Sequence, residues 1–137
     1  MNTFHHILLC YGHTGGIVRN KKYSKEECDK LLINDLKEAD NILKLYVKPE
    51  IYNKLKLYEK AAFLSFIFNV GSGKTGVKDG FVFLKNGNYS TMYKKLNAGD
   101  IHGACNELPK WNKDKLRGIT IRRQKERDLC LNVFKLY

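Results

Sequence analysis

The residues near the start of the chain that could do chemistry lie in one short segment, Cys10-Tyr11-Gly12-His13-Thr14-Gly15-Gly16. It places a thiol, an imidazole and a hydroxyl among three glycines, which allow tight turns. A catalytic thiol needs a neighbouring group that holds it as the thiolate, and the sequence identifies no such partner for Cys10. We therefore predict a small, irregular β-hairpin region over residues 8–23, with Cys10 buried in it.

Carboxylates, which serve many hydrolytic enzymes as general acids, do not occur between Met1 and Cys10. Elsewhere in the chain, Glu50, Glu59 and Glu107 are the obvious candidates for a catalytic acid. All three fall on predicted helices or helix ends. We predict that each of them is a surface carboxylate.

The formal net charge is +11 over 137 residues. It favours an anionic partner such as nucleic acid, an anionic membrane surface or a bacterial cell-wall polymer. Because the lysines are scattered along the whole chain, a lysine-rich solvated surface explains the same charge. Composition alone does not choose among these partners.

The four cysteines, Cys10, Cys28, Cys105 and Cys130, form no C-x-x-C pair. This argues against zinc and thioredoxin-type chemistry. Two alternatives stay open: two disulfides in an oxidising envelope compartment, or four reduced and mostly buried thiols in the cytosol.

Hydrophobic spacing predicts a mainly helical domain. Ser24 to Glu27 has the pattern of a capping box, and apolar residues at steps of three and four predict an amphipathic helix that ends near Pro49. The apolar face of this helix comprises Cys28, Leu32, Leu36, Ala39, Leu43 and Tyr46. The nearly continuous apolar run over 57–71 predicts a central, buried helix.

Weaker signals follow this central helix. Residues 74–89 predict a short hairpin or a surface loop. Ser90 and Asp100 predict the N-caps of two short helices, which end near Leu96 and Leu108.

Trp111 is predicted to anchor the core between helices rather than to stack on a sugar. After Gly118 we predict a last helix that reaches the C-terminus, with Cys130, Val133 and Tyr137 at core positions. This helix carries a basic cluster that either attracts an anionic cell wall or forms a solvated helix face. The cluster comprises Arg122, Arg123, Lys125 and Arg127.

Four segments in this order make a specific resemblance. They are Tyr11-Gly12-His13-Thr14-Gly15, Phe66 to Gly73, Ser90 to Asp100, and Trp111-Asn112-Lys113 followed by Gly118, Arg122-Arg123 and Glu126-Arg127. Together they resemble the phage-type lysozymes, the endolysin muramidases, and within them the lambdoid endolysin branch. The resemblance covers nearly all of residues 9–134.

The resemblance implies a mainly α, lysozyme-like fold, in which a residual β lobe (8–23) joins a helical lobe (24–137). It implies hydrolysis of the glycosidic bond after N-acetylmuramic acid in peptidoglycan, without a cofactor or a metal. It places Tyr11, Gly12 and His13 in the substrate cleft, with His13 as a structural residue. It also places Arg122 or Arg123 near that cleft.

The family's chemistry uses a Glu, an Asp and a Thr in its N-terminal segment. In the register of the resemblance, Leu8 occupies the Thr position, the Asp position falls at about Asn2, and the Glu position falls before Met1. We therefore expect a chain that is weakly active or inactive. The expected causes are a start codon assigned too far downstream, a decaying prophage copy, or a non-catalytic relative that binds peptidoglycan.

A third class, a basic helical nucleic-acid-binding protein, is disfavoured because the sequence has no recognition-helix signature. The sequence has no run of eighteen apolar residues, so we predict no transmembrane segment. The apolar patch from Phe4 to Tyr11 is too short for an export signal. We expect a monomer that is made in the host cytoplasm and acts at the periplasm and cell wall.

Overall fold

The computed structural model describes the backbone of residues 25–112 and 115–133, and the side chains of that range apart from those of 25–33 and 35. The predicted β lobe, the capping box at Ser24 and the core position of Tyr137 therefore lie outside the described residues or side chains. The described helices are α1 (Lys25–Tyr46), α2 (Pro49–Tyr52), α3 (Leu57–Val70), α4 (Thr91–Asn97), α5 (Ile101–Cys105), a 3₁₀ turn (Leu108–Lys110) and α6 (Arg117–Cys130).

Helix α3 is the centre of the described fold, as its apolar run predicts. Ala62, Phe63, Phe66 and Ile67 are all buried, and the helix packs against α1 on one side and α6 on the other. A helix that is apolar on most sides is stable only where neighbours cover most of its surface. The predicted mainly helical fold is confirmed in the described part of the chain.

Helix α1 presents one apolar face to this centre. Ala39 and Leu43 are fully buried and Tyr46 is half-buried against the core, which confirms the predicted amphipathic pattern over these positions. The helix ends before Pro49, but Pro49 also begins the short helix α2. Proline is well suited to a first helical position, because its missing N–H would have no partner there.

The segment 71–90 forms a tight loop that is anchored in the core. Two isolated antiparallel bridges, Lys74 with Lys78 and Phe83 with Tyr89, give it hairpin-like turns. Phe81 and Val82 are completely buried. The loop is therefore not only a surface feature, because Phe81 and Val82 in its middle belong to the hydrophobic core.

Both predicted N-caps are confirmed. Ser90 accepts a hydrogen bond from the Tyr93 N–H at 3.0 Å, and Asp100 accepts one from the Gly103 N–H at 3.0 Å. The helix that Asp100 caps is shorter than predicted, since it ends at Cys105 and the chain continues as the 3₁₀ turn.

The last helix also ends earlier than predicted. It stops at Cys130, and Asn132 takes a left-handed backbone with φ of 56°. The Val133 N–H bonds back to the Asp128 carbonyl at 2.7 Å. Cys130 is buried as predicted, but Val133 is 44% exposed and is not a core residue, because the turn carries it off the helix face.

A disulfide joins Cys105 at the end of α5 to Cys130 at the end of α6, with 5.7 Å between the Cα atoms. Of the two alternatives for the cysteines, disulfides or reduced thiols, this pair forms a disulfide. Cys10 and the side chain of Cys28 lie outside the described part. The bond ties the far end of α6 to the small helices of the lobe.

Replacing both Cys105 and Cys130 with serine is expected to lower the free energy of unfolding by about 3 kcal/mol, because the bond closes a loop in the unfolded chain. The closed loop spans a sequence separation of 25 residues. Urea unfolding under non-reducing conditions measures the change. Equal stability of the variant and the wild type would contradict the disulfide.

Candidate functional site

A groove of about 730 Å³ lies between α3 and α6. We call it the α3–α6 groove. Its walls are mainly apolar, and polar groups gather around Ser65. The described lining residues are Ser65, Leu116, Gly118, Ile119, Ile121, Arg122, Lys125, Glu126 and Leu129. Ligand sites commonly have this character, with an apolar cleft and a few convergent polar groups.

The polar end of the groove is a three-residue network. The Ser65 hydroxyl donates to Glu126 Oε2 at 2.6 Å, and Arg122 Nε lies 3.5 Å from the same oxygen. An Arg122 Nη also points at the Ser65 carbonyl and hydroxyl oxygens, both at 3.4 Å. The network fixes the head of Arg122 at the groove wall.

Burial is the main cause that lowers the pKa of Arg122; Glu126 opposes this effect and Arg123 adds to it. A guanidinium stays charged in proteins despite such shifts. Arg122 therefore offers a fixed positive charge, half-shielded from water, next to an apolar surface. Such a group can hold an anionic part of a ligand. The place of Arg122 near the substrate cleft stays a prediction.

Arg123, by contrast, is 1% exposed. It donates to Glu126 and Asn69, and its Nε donates to the Trp111 carbonyl at 3.2 Å. Its guanidinium carbon also lies 4.9 Å from the centre of the Phe66 ring. A role of Arg123 at the cleft surface does not fit this placement, because its donors are already committed inside the fold.

The predicted solvated face of α6 is also only partly right. Glu126 and Asp128 are buried, as Arg123 is, while Gln124 and Lys125 are exposed. Trp111 contacts Phe66 edge to face at 5.1 Å and packs against the core cluster, which confirms it as a core anchor.

Two of the three carboxylates predicted to lie at the surface are buried. Glu59 accepts a hydrogen bond from the Lys56 N–H at 2.8 Å. Glu107 pairs with Lys95 at 3.0 Å and with Lys110 at 2.7 Å. Only Glu50 is exposed as predicted. Burial is tolerated because each buried carboxylate has close donors.

Sequence reasoning missed Ser65 and Glu126 as members of a site. A serine in the middle of the otherwise apolar run 61–68 was one available signal. The other was the spacing of Glu126 three and four residues after Arg123 and Arg122, which puts them on one helix face.

The other predicted site positions, Asn2, Leu8, Tyr11, Gly12 and His13, lie outside the described residues. They stay predictions. Across residues 25–112 and 115–133, no group of three His, Cys, Asp or Glu side chains could hold a metal ion. No helix within these ranges is long and apolar enough to cross a membrane.

Comparison with known proteins supplies the family. The phage lysozyme family model matches residues 3–126. The SAR-endolysin of bacteriophage PS119 is 36% identical over 129 residues, which cover 91% of this chain and 68% of the relative. The SAR-endolysin of enterobacteria phage P21 is 35% identical over 127 residues, covering 90% of this chain and 67% of the relative. This chain belongs to the phage lysozyme family.

A solved structure gives the same fold. The active form of the P1 phage endolysin Lyz superposes with a TM-score of 0.65 at 22% identity, over 88% of this chain and 67% of that one. This chain thus spans about two thirds of the length of each of these proteins.

Replacing Glu126 with glutamine is expected to destabilise the fold by about 3 kcal/mol, because the buried Arg123 loses its countercharge. The double variant Arg123→Met/Glu126→Leu is expected to lose less than Glu126→Gln, since it removes the buried charge of Arg123 together with that of Glu126 and leaves only Arg122 without its carboxylate. Urea unfolding compares the variants, with Gln124→Ala as an exposed control on the same helix. A Glu126→Gln protein as stable as this control would refute the structural role of the pair.

Glu107 gives a pH-dependent prediction. Burial raises the pKa of Glu107, but hydrogen bonds from Lys110 and Lys95 outweigh burial, and the net pKa lies below the ordinary 4.5. Stability from a lowered pKa is present above the unfolded-state value and is lost as the pH falls through the folded-state value. We expect Glu107→Gln to be less stable than the wild type at neutral pH. This gap in stability between the two proteins is expected to close below pH 4.5.

Thermal unfolding across this pH range measures the gap. Glu50→Gln, at an exposed position, is the matched control and is expected to follow the wild type throughout. A gap for Glu107→Gln that stays constant with pH would contradict the ion pairs.

Proposed function

We propose that this chain is a phage endolysin that acts on bacterial peptidoglycan and contributes to lysis of the host cell. Family membership over residues 3–126 carries the proposal. Peptidoglycan bears carboxylates, and a protein with a net charge of +11 is attracted to such a polymer. The bond cut by the lysozyme reaction is the glycosidic bond after N-acetylmuramic acid.

The α3–α6 groove supports a role in holding ligand. Arg122 lies fixed at its wall, and Lys125 adds a second positive charge on the next turn of α6. Apolar side chains of Leu116 and Leu129 extend the same surface. In this proposal the groove borders the substrate cleft, and Tyr11, Gly12 and His13 form a further part of the cleft wall.

We further propose that these 137 residues bind peptidoglycan well and hydrolyse it weakly. Glycoside hydrolysis needs a carboxylic acid whose pKa is raised, so that it can give its proton to the leaving oxygen. The pKa of Glu107 is lowered, Glu59 is committed to the start of α3, and Glu126 is paired with two arginines. None of these three is arranged as a substitute acid.

The disulfide between Cys105 and Cys130 supports a working place outside the cytoplasmic membrane. Disulfides persist in oxidising compartments such as the bacterial periplasm and are rare in the cytosol. The relatives named SAR-endolysin fit the same setting. We propose that the chain acts at the wall from the periplasmic side, as a monomer.

Two assays on the purified chain test the proposal. The chain is expected to sediment with purified peptidoglycan, and to clear a suspension of chloroform-permeabilised Gram-negative cells roughly 10² to 10⁴ times more slowly than the SAR-endolysin of phage P21, a factor equal to the usual contribution of a general acid. Clearing at a rate close to that of the relative would overturn the proposed weak hydrolysis. Failure to sediment, together with steeply salt-dependent DNA binding, would favour a nucleic-acid-binding protein instead.

The proposed position of the acid is tested in the encoding DNA. An upstream, in-frame Glu followed by an Asp would identify the catalytic segment. A chain extended to include that Glu is expected to clear cells at a rate near that of the same relative. The same extended chain with the Glu changed to Gln is the matched control and is expected to stay slow. Equal rates for both extended chains would place the catalytic acid elsewhere.

A further inference from the structure

The 71–90 loop carries an exposed tyrosine supported by other aromatic rings, outside the α3–α6 groove. Tyr89 is 51% exposed. Its ring centre lies 5.9 Å from that of Phe83 and 5.3 Å from that of Tyr93. Phe83 in turn meets Tyr46 edge to face at 5.4 Å. The Tyr89 ring is therefore held from two sides and keeps half of its surface open to solvent.

The backbone of this loop is built to hold its shape. Gly73 and Gly80 pass so close that a Cβ on Gly80 would lie 1.9 Å from the Gly73 nitrogen. The Phe81 and Val82 N–H groups donate to carbonyls at the start of the loop, both at 2.9 Å. A side chain that is already held in place loses little conformational freedom when it binds a ligand.

The loop that carries Tyr89 also carries positive charge. The Gly76 N–H donates to the Lys85 carbonyl at 2.9 Å, and a Cβ on Gly87 would lie 3.7 Å from the Thr75 methyl group. These contacts bring the turn that contains Lys74 against the turn that contains Lys85, and both lysines are exposed.

Acidic residues are few in this part of the sequence. Residues 71–97 contain five lysines and a single acidic residue, Asp79. Its Oδ1 accepts the Lys85 backbone N–H at 2.7 Å.

We propose that Tyr89, Lys74 and Lys85, here called the Tyr89 surface, form a second contact site for peptidoglycan. A sugar ring would pack on the open face of Tyr89, and carboxylates of the same polymer would pair with the two lysines. The inference rests on the proposed function and adds a place where the polymer is held away from the groove. A single-stranded nucleic acid fits less well, because such ligands stack on a series of aromatic side chains, and Tyr89 is the most exposed ring of this array.

Sedimentation with purified peptidoglycan at graded protein concentrations tests the site. Tyr89→Ala is expected to weaken binding about tenfold, the effect of losing one aromatic anchor, whereas Tyr89→Phe keeps the ring and is expected to bind like the wild type. Tyr58→Ala, at a half-buried tyrosine at the start of α3, is the aromatic control. Thermal unfolding of each variant checks that the fold is intact.

The lysines have a charge-matched control. Lys74→Gln/Lys85→Gln and Lys37→Gln/Lys54→Gln each remove two exposed positive charges. Only the first pair is expected to weaken binding several-fold and to make it less dependent on salt. Peptidoglycan whose carboxylates have been converted to amides is expected to lose the difference between the two pairs.

The outcomes separate the two proposals. A wild-type chain that does not sediment refutes the proposed function. A wild-type chain that sediments together with an unchanged Tyr89→Ala variant refutes the Tyr89 surface alone. Equal losses of binding in the two lysine double variants would show that these lysines act only through the net charge of the protein. That result would refute the specific pairing of Lys74 and Lys85 with the polymer. Preferential competition by a phosphate-bearing glycan would assign the surface to a different polymer.

Discussion

The described fold depends on the burial of one guanidinium. Removing a charge from water costs several kcal/mol, and the cost is recovered only when partners of good geometry surround it. Arg123 takes its partners from Asn69 near the end of α3, from the Trp111 carbonyl in the connection and from Glu126 on its own helix. Because these partners come from separate elements, they favour one position of α6 against α3.

The geometry of the candidate site follows from that position of α6. Glu126 uses one oxygen for Arg123 and the other for Ser65 and Arg122, so the same carboxylate stabilises the core and orients the polar end of the groove. At the C-terminal end of α6, Cys130 is tied to Cys105. A helix held at its middle and at its C-terminal end presents its groove-facing residues in a constant geometry, which favours binding without prior rearrangement.

The elements that could be predicted from sequence are those governed by local rules. The apolar run of α3 predicts a buried helix, and Ser90 and Asp100 cap helices through bonds to residues three positions on. The burial of Glu107 was not predictable in this way, because Lys95 lies twelve residues away on another helix. In the same way, the partners of Arg123 are distant in sequence, so its charge alone suggested a solvated or substrate-facing residue.

The arrangement of buried carboxylates also shapes the field outside the protein. Glu107 lies between Lys95 and Lys110, and Glu126 lies between two arginines. Each cluster holds two positive charges against one negative charge and so stays net positive. Several of the few acidic groups are thus used inside the fold, where they are already countered. The surface is consequently more basic than an even scatter of the same residues would make it, which strengthens attraction to an anionic polymer.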